Sequence, residues 1–196
     1  MDNLAEILEA PFPFGPVDLE ALSDFEIEVG HALPSDFREY LLAFNGSCFK
    51  KDIYTSSDDG WEAIGIGHVY GLHEGPDYFQ LLKNWKLYEK YDLQAWKWKL
   101  KKFVVFADTG TGEQLAINTK NGSVWLYLHD WEPRLFRMPG QFMKIENSFS
   151  DFLQKLESEE EHDARMTGNP RYDAFKKQLA ELEAKREAEV EQGMWD

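Results

Sequence analysis

The sequence contains a single cysteine, Cys48, and no apolar run close to the roughly 20 residues that cross a bilayer. One cysteine excludes a disulfide within the chain and is typical of a protein in a reducing compartment. The first residues lack the basic start and the apolar run of a signal peptide. We therefore expect a cytoplasmic protein without a membrane segment.

Candidate catalytic and metal-binding groups are also few. His68 and His73 with Glu74, and His129 with Asp130, are the residue types of acid–base pairs or metal ligands. Their spacing matches no metal-site template, so structural roles are the favoured interpretation. We expect no enzymatic activity, no metal and no cofactor. A hydrolase that uses His68 or His129 is the open alternative.

The Gly-rich stretch at residues 108–113 has the composition of a phosphate-binding loop. It lacks the lysine and the following helix that such a loop needs. A turn between two strands is therefore the better interpretation of this stretch.

Charge of one sign is in clear excess, because the formal net charge is −15. Residues 1–80 carry sixteen acidic and three basic side chains, whereas residues 81–102 carry seven lysines and two acidic residues. A surface with this much negative charge repels phosphate backbones and attracts basic proteins. We therefore expect no direct binding to nucleic acid. The plainer alternative is that the acidity only maintains solubility.

Lysines alternate with tryptophans and tyrosines over residues 83–102. Such a pattern also occurs on surfaces that stack nucleic-acid bases. Lysine stems, however, commonly cover buried aromatic rings. Since the rest of the chain is strongly acidic, we expect these lysines to pair with carboxylates of the same protein.

The clearest helix signals lie between residues 18 and 46. Apolar side chains recur three and four residues apart over 18–29 and again over 35–44. Gly30 can adopt the left-handed conformation that closes the first helix, and Leu33-Pro34 forbids its continuation. Asn45-Gly46 ends the second helix. The pattern predicts two helices joined by a short, stiff corner.

Polar residues mark the starts of the predicted helices. Asp18 is the expected N-cap of the first helix, and Ser35 and Asp36 are expected to cap the second. A third helix is predicted over residues 149–156, with Ser148 as its N-cap. Each of the three helices has one apolar face to bury.

The middle of the chain has the signals of an antiparallel meander. Apolar runs at 103–107, 113–118 and 123–129 are separated by Gly-rich turns. The second turn contains Asn121-Gly122, a pair favoured where both residues need positive φ. A further strand is predicted over residues 61–66.

These blocks, in this order, resemble the SUKH superfamily, which includes bacterial toxin-immunity proteins and a domain of fungal cell-wall assembly regulators. The resemblance rests on the Leu33-Pro34 corner, the closing Asn45-Gly46, the strand that ends in His129-Asp130 and the helix start at Ser148-Phe149. It covers about residues 17–157. The order of the motifs carries it, more than any single motif.

The predicted elements and the resemblance together imply an α+β fold. We expect an antiparallel sheet of about five or six strands with helices 18–29, 35–44 and 149–156 packed on it. Residues 1–157 are expected to form the SUKH-like domain. Residues 158–196 are expected to form a charged linker and an amphipathic C-terminal helix.

The resemblance also implies a non-catalytic protein-binding domain, most often an immunity protein that occludes the active site of a cognate toxin. A regulatory or scaffold protein of the fungal type is the alternative. The acidity of the chain points to a basic, nuclease-type toxin as partner. The partner-binding patch is expected on exposed, turn-rich stretches and comprises Asp58, Asp59, Glu62, Glu74 and Asp77.

The C-terminal helix carries an apolar stripe formed by Tyr172, Phe175, Leu179 and Leu182. An isolated helix of this length is marginal in water, so it is expected to dock onto another surface. Docking on its own domain is the favoured interpretation, and a partner protein or a second copy is the alternative. The oligomeric state does not follow from the sequence.

Overall fold

The computed structural model describes residue 7 and residues 14–55, 63–91, 102–128 and 142–191. These ranges contain six α-helices and eight β-strands, which confirms the α+β class. The helices are α1 (Leu19–Val29), α2 (Ser35–Phe44), α3 (Leu81–Tyr91), α4 (Phe149–Gln154), α5 (Glu159–Met166) and α6 (Pro170–Glu191). The strands are β1 (Ser47–Cys48), β2 (Ile53–Thr55), β3 (Ala63–Val69), β4 (Phe103–Thr109), β5 (Gln114–Asn118), β6 (Val124–Tyr127), β7 (Phe142–Glu146) and β8 (Leu156–Glu157). None of the helices in these ranges combines the length and the apolar character that crossing a bilayer requires.

The strands form one antiparallel sheet in the order β7-β6-β5-β4-β3-β2-β8, and β1 also pairs with β3. Strands β3 to β7 are neighbours in the order of the chain, so the predicted meander is confirmed. The strand count exceeds the expected five or six. Strands β1, β2 and β8 contain only two or three residues each, which is too short for an alternating pattern to appear in the sequence.

An aromatic cluster joins the helices to the centre of the sheet. The ring of Phe37 on α2 lies 5.5 Å from the ring of Phe106 on β4 and 5.1 Å from that of Phe149 on α4. All three side chains are completely buried. Such aromatic pairs add to the burial of their apolar area. Helices α2 and α4 therefore pack beside each other over β4.

In the corner between α1 and α2, the end of α1 is as predicted, whereas the start of α2 differs from the prediction. Gly30 closes α1 with φ 78°, in the left-handed region. Pro34 precedes α2, and the side chain of Ser35 does not cap it as expected. The Asp36 carboxylate accepts hydrogen bonds from the N–H of Phe37 and from the N–H of Ser150, both at 2.9 Å. One carboxylate thus serves the positive ends of two helices, α2 and α4.

The end of α2 is fixed to the loop that follows β3. Asn45 adopts φ 51° and is almost completely buried. Its side chain donates to the carbonyls of Gly15 and Leu72 at 2.9 Å and accepts from the N–H of Leu72 at 2.7 Å. The carbonyl of Asn45 occupies the space that a side chain would need at Gly71. The loop after β3 is therefore held tightly against the helix pair.

The predicted helix over residues 149–156 is too long at its C-terminal end. Helix α4 ends at Gln154, and Leu156 lies in β8, where it pairs with Tyr54 of β2. Ser148 caps α4 as predicted, since its side chain accepts from the N–H of Asp151 at 3.0 Å. The charged run after Ser158 is not a linker but helix α5, which begins with a capping box.

An ion-pair network holds α5 against the edge of the sheet. The Arg165 guanidinium donates to both carboxylate oxygens of Glu157 at 2.8 Å and to the hydroxyl of Thr55 at 3.0 Å. Hydrogen bonding from Arg165 is the main reason why the pKa of Glu157 lies below its ordinary value. Bidentate arginine–carboxylate pairs of this kind have defined geometry.

This network predicts a specific dependence of stability on pH. Because the pKa of Glu157 is lower in the folded state, the unfolded chain binds its proton first as the pH falls. The stabilising contribution is therefore present above about pH 5 and is lost on acidification. We expect Arg165→Met to unfold more easily at pH 7 and to lose less stability between about pH 5 and pH 3.

Urea unfolding at several pH values measures this effect. Lys120→Met is the matched control, because it also removes one positive charge from an exposed position. Lys120 lies in the turn between β5 and β6, and three strands separate β5 from β8, which contains Glu157. An Arg165→Met variant with the pH dependence of the parent protein would contradict the prediction.

Candidate functional site

A cleft of about 550 Å³ opens between α1 and the loop that joins β3 to α3. The segment 14–18 and α1 form one wall, and residues 71–82 form the other. The residues that line the cleft are Phe14, Pro16, Asp18, Ala21, Asp24, Phe25, Glu28, Gly71, Leu72, His73, Glu74, Gln80 and Leu82. The cleft thus combines an apolar floor with several carboxylates.

The loop wall of the cleft is built to a fixed shape. The ring of Phe14 stacks on His73 with 4.2 Å between the ring centres, and it fills the space that a side chain at Gly75 would need. The N–H of Gly75 donates to Nδ1 of His73 at 3.0 Å. The amide of Gln80 donates to the carbonyl of Gly75. Since Asn45 holds Leu72 at the start of this loop, both of its ends are fixed.

The cleft is negatively charged. Four exposed carboxylates, those of Asp18, Asp24, Glu28 and Glu74, lie along it, and its described lining contains no lysine or arginine. Burial lowers the pKa of His73, so the imidazole is neutral at pH 7 and does not offset these charges.

One neighbouring cation partly compensates the charge. Lys86 on α3 lies 3.0 Å from the carboxylate of Glu28, and both side chains are about half exposed. An ion pair with that exposure is weak and is screened by salt. It can therefore open without a large cost when a stronger cationic group approaches.

The structure describes two of the five residues predicted to bind a partner. Glu74 is exposed and lines the cleft. Asp77 is exposed at the start of the 3-10 turn after the cleft loop and pairs with Lys83. Asp58, Asp59 and Glu62 lie outside the described residues, so their role stays a prediction.

Acidic residues of α1 line the candidate site but were not predicted from the sequence. Residues 18–28 contain five acidic side chains and no basic one. Glu28 lies in the last turn of α1, where the helix dipole disfavours negative charge. An acidic residue that opposes the dipole does not stabilise the helix, and this was the available signal in the sequence for the acidic wall of the cleft.

The histidines considered for acid–base chemistry lie in different environments. Nδ1 of the His68 ring lies 3.6 Å from Oδ2 of Asp108, and the backbone N–H of His68 donates to the same carboxylate at 3.0 Å. Asp108 in turn lies 3.4 Å from the hydroxyl of Tyr70. These contacts join β3 to β4, which is a structural role. His129 and Asp130 lie outside the described residues.

Metal binding has no geometric support in the described ranges. Among those residues no group of three or more His, Cys, Asp and Glu side chains is placed to hold a metal ion. The four carboxylates of the cleft stand along opposite walls and are exposed to solvent.

The fold and the cleft define a class: a small α+β domain with a rigid, acidic, concave surface. The family model of the SMI1 / KNR4 family (SUKH-1) matches residues 16–155, so the chain belongs to this family. Domains of this family are known as toxin-immunity or cell-wall-regulator domains, and they bind partner proteins. No curated protein sequence matches the chain.

Proposed function

We propose that this chain is an immunity-type protein that binds a basic, nuclease-type toxin and occludes its active site. The observation that carries the proposal is the acidic cleft with its apolar floor. A toxin can place an arginine or lysine side chain there. The methylene stem then lies on the apolar floor while the charge meets the carboxylates.

The proposed binding surface extends beyond the cleft. Glu74 and Asp77 act together with the carboxylates of α1, since all of these side chains are exposed. Asp58, Asp59 and Glu62 belong to the proposed surface on sequence grounds, as acidic residues of a turn-rich stretch. A toxin surface that binds nucleic acid is basic and is complementary to such a patch.

Electrostatic attraction is expected to act mainly on the rate of association. Exposed charge pairs add little affinity each, but a field of one sign steers a partner of the opposite sign toward its site. Salt screens such a field over about 10 Å at 0.1 M ionic strength. Association that slows strongly with added salt is therefore the expected signature.

The test begins with the native partner. The tagged chain is used to capture proteins from its own cells, and mass spectrometry identifies them; a toxin with a basic domain is expected. Association of that toxin is then measured with the double variant Asp24→Lys/Glu74→Lys. At low salt we expect its association rate constant to be at least about tenfold lower than that of the parent chain. The hydrogen bonds described above involve neither side chain, so the fold should be retained.

The matched control is Glu39→Lys/Glu160→Lys. It makes the same change in net charge at exposed positions that do not line the cleft. Equal association rates for the two double variants would rule out the cleft as the binding site. Capture of a cell-wall regulator in place of a toxin would contradict the immunity role and support the alternative role as a regulatory or scaffold protein.

A further inference from the structure

Helix α6 packs on the described part of the domain through its first two turns. Tyr172 packs edge-on against His162 with 5.5 Å between ring centres, and its hydroxyl donates to Asp163. Lys176 lies 2.8 Å from the same carboxylate. From Lys177 to Arg186 every side chain is exposed. Docking on its own domain, the favoured interpretation from the sequence, is thus limited in the described structure to the start of the helix.

The apolar stripe of α6 is left uncovered by the described residues. Phe175, Leu179 and Leu182 are 50%, 38% and 64% exposed. Their spacing of four and then three residues is that of the core positions of a coiled coil. A helix with 22 residues is about 33 Å long, and most of its stability normally comes from packing such a stripe.

We infer that α6 pairs with α6 of a second copy of this chain, in antiparallel orientation. When two such helices run in opposite directions, Leu179 of one packs against Leu182 of the other, and the same contact is repeated by symmetry. Phe175 then lies beside Arg186 of the second copy. The guanidinium and its stem can cover that ring.

Charge on the edge of the stripe favours this orientation. Lys176 and Glu183 lie seven residues apart on the same edge, so both occupy the same position of the heptad. In an antiparallel pair each lies near the other residue of the second copy. Lys176, which is paired with Asp163 of its own chain, then also faces Glu183 of the second copy, and the same contact occurs twice by symmetry. In a parallel pair Lys176 instead lies near Arg171 of the second copy, and the two positive charges repel each other.

The antiparallel arrangement also separates the two domains. Each domain is attached to the N-terminal end of its α6, so the two domains lie at opposite ends of the helix pair. The inference does not rest on the proposed function. Because few core positions contribute, we expect a weak dimer that forms in the range of about 10–100 μM.

Sedimentation velocity of the full chain from about 5 to 500 μM tests the pairing. The average mass is expected to rise from 22.8 kDa toward twice that value. Leu179→Glu should stay monomeric throughout, whereas Ala184→Glu, on the opposite face of α6, should associate like the parent. A parent chain that stays monomeric, or a Leu179→Glu chain that still dimerises, overturns the inference.

A charge exchange tests the orientation. Lys176→Glu and Glu183→Lys should each associate less than the parent, because like charges then meet across the pair. A mixture of the two variants should form a heterodimer, since opposite charges face each other again. Circular dichroism verifies that each variant is folded. Stronger self-association of Lys176→Glu, or no heterodimer in the mixture of folded variants, overturns the antiparallel arrangement.

Discussion

Replacing Asn45 by alanine is expected to lower the free energy of unfolding by about 4 kcal/mol. The change removes three hydrogen bonds from a side chain that is 1% exposed. It leaves the N–H and the carbonyl of the partly buried Leu72 and the carbonyl of the exposed Gly15 without those partners. An unpaired group costs about 1–3 kcal/mol when it is buried, so most of the loss is expected at Leu72. Alanine is also less tolerant than asparagine of the left-handed conformation found here.

Two further variants separate these contributions. Asn45→Gly loses the same hydrogen bonds without the backbone penalty, so it should be about 1 kcal/mol more stable than Asn45→Ala. Asn147→Ala is the control, because Asn147 is exposed and accepts a single hydrogen bond from Lys144; we expect a change within about 0.5 kcal/mol. Denaturant unfolding measures all three, and an Asn45→Gly variant as stable as the parent would refute the role of the side chain.

The second large effect is expected at the aromatic cluster. Phe37→Ala should lower the free energy of unfolding by about 3–5 kcal/mol, because the phenyl ring is completely buried against Phe106 and Phe149. These neighbours belong to β4 and α4, which hold the centre of the sheet and the adjacent helix. The cavity left by the ring cannot close without moving both elements, so the loss should lie at the upper end of the range.

The matched control for this substitution is Phe175→Ala, which removes the same ring from a half-exposed position on α6. In dilute solution, where α6 is unpaired, the change should be within about 0.5 kcal/mol. Chemical denaturation at low protein concentration compares the two variants. Equal losses would show that the stability does not depend on packing over β4.

Helix boundaries could be predicted where the chemistry is local. Gly30 adopts the positive φ for which glycine is suited, and Pro34 keeps α1 and α2 apart. Leu156 shows the opposite case, because its apolar spacing continues the pattern of α4 while its backbone pairs with Tyr54. The pairing partner lies more than a hundred residues away, so the local pattern contained no signal for β8.

The site could be predicted only in part, for a related reason. Acidity and a turn-rich surrounding predicted a binding role for Glu74, which lines the cleft, and for Asp77, which does not, and that role stays a prediction; the cleft itself is assembled from two stretches that are distant in the chain. Asp36 illustrates the same limit. Its residue type predicts a helix cap, whereas its second bond, to Ser150, depends on how two helices pack. Tertiary contacts of this kind have no counterpart in periodicity or composition.

The pairing of β2 with β8 has a consequence for folding of the chain during its synthesis on the ribosome. Strand β2 is made early, yet its outer edge is covered only when residues 156–157 have been added. Until then the nascent chain carries an open strand edge, which is the kind of surface that recruits other chains. The last part of the sheet to be synthesised therefore closes one of the first, and folding of this domain finishes late in translation.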